Sequence, residues 1–295
     1  MRRTTLIGLV VVTLLLVVLV TACGDGGDEQ APTEDTARPL EVTVSILPQK
    51  YFVERIAGDH ATVTVMVAPG ESPATYEPKP DQLTALSQAA VYFRIGVPFE
   101  DAWMKRFAAA NSAMPIVDTR ENVTLRYWED APDEADPHIW LSPVEVKAQA
   151  ETIKNSLAGL DPGHAAEYQA NLDAFVADIE ALEAGIRDTL ESVADRKFIV
   201  FHPAWGYFAR DFDLEMIPIE VGGQEPSAAE LAGLVTRAQK EGVKVIFAQP
   251  EFSTRAAETI ADQIDGKVLL ISPLAPDWLN NLQSVATTFA EVLGQ

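Results

Sequence analysis

The sequence predicts an α/β protein of two lobes, each a mostly parallel sheet flanked by helices, joined by a long rigid backbone helix with a cleft between the lobes. Three observations carry this. From residue 41 short β-rich runs alternate with amphipathic stretches, the pattern of βαβ units. Tyr168, Leu172, Phe175, Ile179, Leu182, Ile186, Leu190 and Val193 then recur by threes and fours on one helix face opening at Asp161-Pro162. After that stripe the βα alternation resumes. A helix of about 33 residues spans roughly 50 Å, so a spine bridging two lobes explains it better than a cover on one sheet. One long amphipathic helix inside a single domain is the alternative.

Taken in order, the chain opens with Arg2 and Arg3, an uncharged run from Leu6 to Val20, and the small residues Thr21 and Ala22 before Cys23, which together form an export signal. The run is shorter than the roughly 20 residues of a spanning helix, the competing reading. Val20-Thr21-Ala22-Cys23 resembles a bacterial lipobox, in which the Cys becomes a lipidated N-terminus that anchors the protein to an extracytoplasmic membrane face. Residues 1–22 are thus the signal and 23–40 the lipidated Cys and a flexible tether.

The first lobe, 41–141, has strand runs at 41–47, 61–67 and 90–96, with helices near 49–57, 80–89 and 100–110. The segment 114–137, rich in Asp and Glu, is expected to be a solvated loop. Linking helices fill 142–194: Ser142-Pro143-Val144-Glu145 sets an N-cap, a Pro at the first helical position and a Glu three residues after the cap, opening a helix to about Ala158. The second lobe, 195–295, carries strand runs at 196–201, 214–220, 243–249 and 267–272, each followed by a helix.

Composition removes several functions. With 44 Asp and Glu against 22 Lys and Arg, a formal charge of −22, no basic stripe is left for a nucleic acid. The single Cys excludes a disulfide framework, a thiolate zinc cluster and a Cys-x-x-Cys redox pair, so any metal must be held by His and carboxylate. No phosphate-binding Gly loop, nucleophile elbow or His-Glu-x-x-His stands in the chain, and catalysis has no positive signal.

In an open parallel sheet ligands bind beyond the carboxyl ends of the strands. His202 ends one run there, Glu220 the next, Gln249 and Glu251 the third and Ser272 the last. One imidazole among oxygen donors fits a hard or borderline metal; a capping His is the plainer reading of His202. His138 lies in Asp136-Pro137-His138-Ile139-Trp140, where Pro137 restricts the backbone and Trp140 can anchor the loop, although a surface His remains open. His60 in a turn and His164 in the first turn of the long helix are left outside the site.

These residues resemble the solute-binding lipoproteins of zinc and manganese ABC transporters. The resemblance runs in order through 69–80 (PGESPATYEPKP), 136–143 (DPHIWLSP), 202–212 (HPAWGYFARDF), 225–231 (EPSAAEL), 246–253 (IFAQPEFS) and 271–276 (ISPLAP). It implies a monomer that holds a divalent metal between its lobes and delivers it to a membrane permease. His138 and His202 stand where that family places its second and third ligands. Ala74 replaces the usual first His and Ser272 the usual late carboxylate, while Gln249-Pro250-Glu251 inverts the family's Glu-Pro-Gln. The expectation is zinc, with manganese as the alternative, on His138 and His202, completed by Glu220 and Glu251 with water; Glu77, Glu100, Glu225 and Asp277 are further candidates. Two other readings follow from the altered donors: a metal chelate or other small solute, or a lipoprotein acting in adhesion or metal-dependent hydrolysis.

Overall fold

Strands with no polar alternation must be covered on both faces, and the helices between them do so here. The computed structural model describes residues 38–128, 131–220, 227–251 and 254–294. The export signal, Cys23 and the tether as far as residue 37 lie outside these. In the first lobe β1 (Leu40–Val44), β2 (Ala61–Val65), β3 (Val91–Arg94) and β4 (Ile116–Asp118) form a parallel sheet in the order β2-β1-β3-β4. Its helices are α1 (Leu47–Ala57), α2 (Pro80–Leu86) and α3 (Pro98–Ala110), each with Pro in the first turn, where a missing N–H costs nothing.

The second lobe repeats the topology: β5 (Lys197–Val200), β6 (Glu215–Pro218), β7 (Val245–Ala248) and β8 (Lys267–Leu270) run parallel in the order β6-β5-β7-β8. Its helices are α6 (Gly206–Asp211), α7 (Ala228–Glu241), α8 (Arg255–Gln263) and α9 (Trp278–Leu293). In each sheet the chain steps from its first strand to one side and then crosses to the other, so a topological switch point opens at β1/β3 and at β5/β7.

Between the sheets run α4 (Pro143–Leu160) and α5 (Ala165–Leu190). The spine is shorter than the stripe implied: α5 has 26 residues, about 39 Å, preceded by a 3₁₀ turn at Pro162–His164. Pro162 and Gly163 tighten the entry, and Val193, the last apolar residue of the stripe, is buried beyond the helix end. The helix packs against both α1 of the first lobe and α9 of the second. Phe52 of α1, Phe175 of α5 and Trp278 of α9 meet with ring centroids 5.2–6.3 Å apart, so one apolar core runs through both lobes. Burial of such large rings, more than any polar contact, holds the lobes together.

Two local expectations change. The segment 114–137 is not wholly a loop: its apolar Ile116 and Val117 pair with β3 as β4, and Tyr127 bridges Ala135. Ser142 does cap α4, its Oγ accepting from Glu145 N at 3.0 Å, but Glu145 does not reach back. Its carboxylate accepts from Thr124 N at 3.0 Å and from Arg210 at 2.8 Å, tying the first lobe's last segment to α6.

Candidate metal centre

His202 follows β5 at the switch point of the second sheet. Its backbone is laced to the end of β7, because Gln249 accepts from His202 N at 3.2 Å and donates to His202 O at 2.7 Å. Glu220 follows β6 on the other side, buried, with its own N–H donating to Phe201 O at 3.0 Å. That places its Oε2 2.6 Å from His202 Nδ1.

His138 comes from the opposite side of the cleft. Asp136 closes a tight turn on it, Oδ1 accepting from His138 N at 3.0 Å and from Nδ1 at 2.7 Å, while Oδ2 takes Arg126 at 2.8 Å. Arg126 reaches Asp136 across Gly206, where a Cβ would lie 1.6 Å from its Nη1 and would push the guanidinium out of this place. Tyr207 accepts from Arg126 N at 2.8 Å and donates to Asp136 O at 2.9 Å. Trp140 donates to Pro273 O at 2.7 Å, and Trp278 to Trp140 O at 2.6 Å. The loop carrying His138 is therefore clamped by groups of the second lobe.

The two imidazoles meet edge to edge, with Nε2 atoms 3.3 Å apart and ring planes at 72°. A carboxylate against Nδ1 favours the tautomer that donates from that nitrogen, which leaves the Nε2 of each ring, facing the other, as the atom able to accept a metal ion. A tetrahedral zinc with bonds of about 2.0–2.1 Å separates two nitrogen donors by about 3.3–3.4 Å. Observed and required spacing agree. Burial pushes the His138 imidazole below its ordinary value, against the pull of Asp136, which favours the neutral, metal-binding form.

The remaining expected donors are placed differently. Glu220 is committed to His202 Nδ1. Glu251 stands on the wall of a pocket of about 200 Å3 between the lobes; its Oε1 accepts from Ser272 Oγ at 2.6 Å, and its buried Oε2 has no partner among the described residues. At position 272, where the resemblance implies a carboxylate, the chain carries a hydroxyl that donates to Glu251. Ala74 and Glu77 lie exposed in the loop after β2. Glu100 is fully buried in the first lobe, accepting from Ile95 N and Gly96 N at 2.9 and 2.8 Å, and burial raises its carboxyl above the usual range. Asp277 caps α9. Glu225 lies outside the described residues. Among the described residues no group of three or more His, Cys, Asp and Glu is assembled as a metal site, and what these residues bring together is the pair of imidazole nitrogens.

Sequence reasoning missed Asp136, Arg126, Tyr207 and Gln249 as supports of the imidazoles. The Asp-Pro-His spacing carried the signal for the first, since a side-chain turn from Asp to the residue two further on is common. Gln249 is visible in the sequence as a strand-end residue but not as a clasp on the His202 backbone, and Arg126 and Tyr207 come from distant segments and left no signal of this role.

The model of the family described as ZnuA, the periplasmic zinc-uptake complex component A, matches residues 42–292. The chain is 27% identical over 271 residues to the high-affinity zinc uptake system protein ZnuA of Bacillus subtilis, covering 87% of this chain and 85% of that one. It is 25% identical over 284 residues to the manganese-binding lipoprotein MntA of Halalkalibacterium halodurans, covering 95% and 93%. A crystal structure of a ZnuA superposes with a TM-score of 0.83 at 48% identity, covering 86% of this chain and 99% of that one.

Proposed function

This chain belongs to the family of periplasmic zinc-uptake complex component A, and from that membership we propose that it captures a divalent metal ion, zinc first, for delivery to an ABC permease. The family consists of metal-binding transport components, not enzymes. The observation that carries the reading is the pair of Nε2 atoms 3.3 Å apart, each ring backed by a carboxylate.

In this reading His138 and His202 bind the ion, while Asp136 and Glu220 fix the tautomer and aim of the rings. Glu251 offers negative charge from the pocket wall, acting on the ion through a bound water or ligand. Two imidazoles suit zinc better than manganese, which favours more oxygen, and affinity order points the same way. A site that must release its ion does well with positions filled by exchangeable donors. Cys23 supplies a lipid anchor, residues 24–40 a tether, 41–141 and 195–295 the two lobes and 142–194 the link, the whole acting as a monomer outside the cytoplasm.

The test is elemental analysis of the purified full-length chain, followed by competition with a chelator of known affinity. One equivalent of zinc is expected, absent from the His138→Ala and His202→Ala proteins. Zinc retained at full stoichiometry by both variants would remove the site from this cleft.

A further inference from the structure

We infer that the hydroxyl of Tyr207 is the ruler of the metal centre: it sets the spacing of the His138 and His202 nitrogens and, through that spacing, the size of the ion preferred. Tyr207 is in this sense a positioning residue, and its role rests on the metal-capture reading above. It stands five positions after His202, along a path with little freedom. His202 O accepts from Gln249 Nε2 at 2.7 Å and from Ala204 N at 2.8 Å, and Pro203 restricts the backbone between them. From there the chain turns straight into α6, where Ala209 N donates to Trp205 O at 2.8 Å and Tyr207 is fully buried.

The same hydroxyl grips the chain that carries His138. It accepts from Arg126 N at 2.8 Å and donates to Asp136 O at 2.9 Å. Only Pro137 separates Asp136 from His138, and the Asp136 carboxylate itself holds His138, Oδ1 accepting from both N and Nδ1. Between the hydroxyl and each imidazole there is thus one short, hydrogen-bonded turn. Trp140, which donates to Pro273 O, fixes the far side of His138, and the Tyr207 bonds fix the near side. Burial pushes the phenol up to about 12, so its single O–H proton stays in place to donate across the neutral range. One turn further along α6, Arg210 donates to Thr124 O at 3.1 Å, a second and longer tie to the same run of chain.

Spacing translates into ion size. For two nitrogens of a tetrahedral site, lengthening both metal bonds by about 0.1 Å widens their separation by about 0.16 Å. The observed 3.3 Å suits zinc and is short for a larger ion. A cleft free to widen by a few tenths of an ångström loses zinc and accepts the larger ion. Phenylalanine at 207 keeps the ring, on which the Arg126 and Arg210 guanidinium carbons lie 5.5 and 5.0 Å from the centroid, and removes only the two bonds of the hydroxyl. The core is kept while the ruler is lost.

The experiment is chelator competition with zinc and, separately, with cadmium, a larger ion that takes the same imidazole donors. It uses the full-length chain carrying Cys23→Ser, so that its one thiol does not compete, with and without Tyr207→Phe. Expected are a loss of zinc affinity of about tenfold, a loss of cadmium affinity below about twofold, and a zinc-to-cadmium ratio lower by at least about fivefold. A loss of folded protein scales both affinities alike, so a merely structural hydroxyl leaves the ratio unchanged, and that result overturns the inference while metal capture stands. Where Tyr207→Phe yields no folded protein, Arg210→Lys decides on the same ratio, since it keeps the charge beside Glu145 and gives up the bond to Thr124. A fall of about twofold there supports the ruler, and an unchanged ratio overturns it. If the parent chain holds neither ion, the inference and the reading beneath it fall together.

Discussion

His138 and His202 in the cleft, and His60 and His164 at the entry to α5, are assembled from the same parts: two imidazoles, each with a carboxylate on one ring nitrogen. In the cleft the rings meet at 72° with Nε2 atoms 3.3 Å apart. In the second pair the rings stack at a centroid distance of 3.7 Å and 23°, with His60 Nε2 on Glu167 at 3.0 Å and His164 Nδ1 on Asp161 at 2.6 Å. Imidazole lone pairs lie in the ring plane. Stacked rings therefore direct them side by side, whereas rings meeting at their edges direct them at a common point. Position differs as well, since His60 precedes β2 and so sits at the amino end of its sheet, while His202 follows β5 at the carboxyl end. Residue type alone does not make a metal site; the angle between rings and the end of the sheet do.

The contrast breaks most readily at the histidines. His202→Ala or His138→Ala is expected to weaken zinc binding about a hundredfold or more, since a four-donor zinc site of about 10–16 kcal/mol assigns about 2.5–4 kcal/mol to each donor. His60→Ala is expected to change it less than threefold, near the level of no effect at about 0.6 kcal/mol. Competition titration of the three proteins side by side decides; equal losses would erase the distinction between the pairs.

A smaller effect isolates the carboxylates. Glu220→Gln keeps the shape but no longer holds the His202 ring with a charged acceptor, and a loss of about tenfold to a hundredfold in zinc affinity is expected. If Glu220 were itself the main ligand, the loss would match that of His202→Ala. Ala74→His works in the other direction. The loop after β2 contributes Pro69 and Gly70 to the pocket wall, and an added imidazole there is expected to tighten zinc about tenfold after the cost of ordering the side chain. No gain in the same titration would show that the loop does not bring position 74 to the ion.

Much of this architecture is legible in the chain. Apolar runs such as Val245–Ala248, buried throughout, announce parallel strands, and the spacing from Tyr168 to Leu190 announces the spine. His138 and His202 are legible because one follows a rigid Asp-Pro and the other ends a strand. What is not legible depends on pairs of segments far apart. That Glu220 lies against His202 Nδ1 follows from the side-by-side pairing of β5 and β6, and a strand-end Glu looks the same in sequence whether it binds metal or an imidazole. The stacking of His60 on His164 needs the turn before β2 to meet the turn before α5, about a hundred residues on. Glu100 is acidic and close to a strand end, which in sequence makes it a candidate donor; its burial under Ile95 and Gly96 N–H groups belongs to the β3–α3 turn.

The smallest expected effect tests whether the second pair is a structural joint. Tyr168, fully buried on α5, donates to Asp161 Oδ2 at 2.7 Å, the oxygen that also faces His164 Nδ1. Burial alone would raise the Asp161 carboxyl, yet the bonds from Tyr168 and His164 hold it below the usual range. A carboxyl depressed in the folded state adds stability above its unfolded pKa and loses it as pH falls through the folded value. Tyr168→Phe removes one of the two donors without leaving Asp161 bare. It is expected to lower stability at neutral pH by about 1 kcal/mol and to move the acid limb of the unfolding curve to higher pH, with zinc affinity unchanged. Denaturant titrations across the acid range measure the first two and competition titration the third. A fall in zinc affinity alongside the fall in stability would mean that this joint, through α5 and the aromatic core it shares with both lobes, also sets the spacing of the cleft.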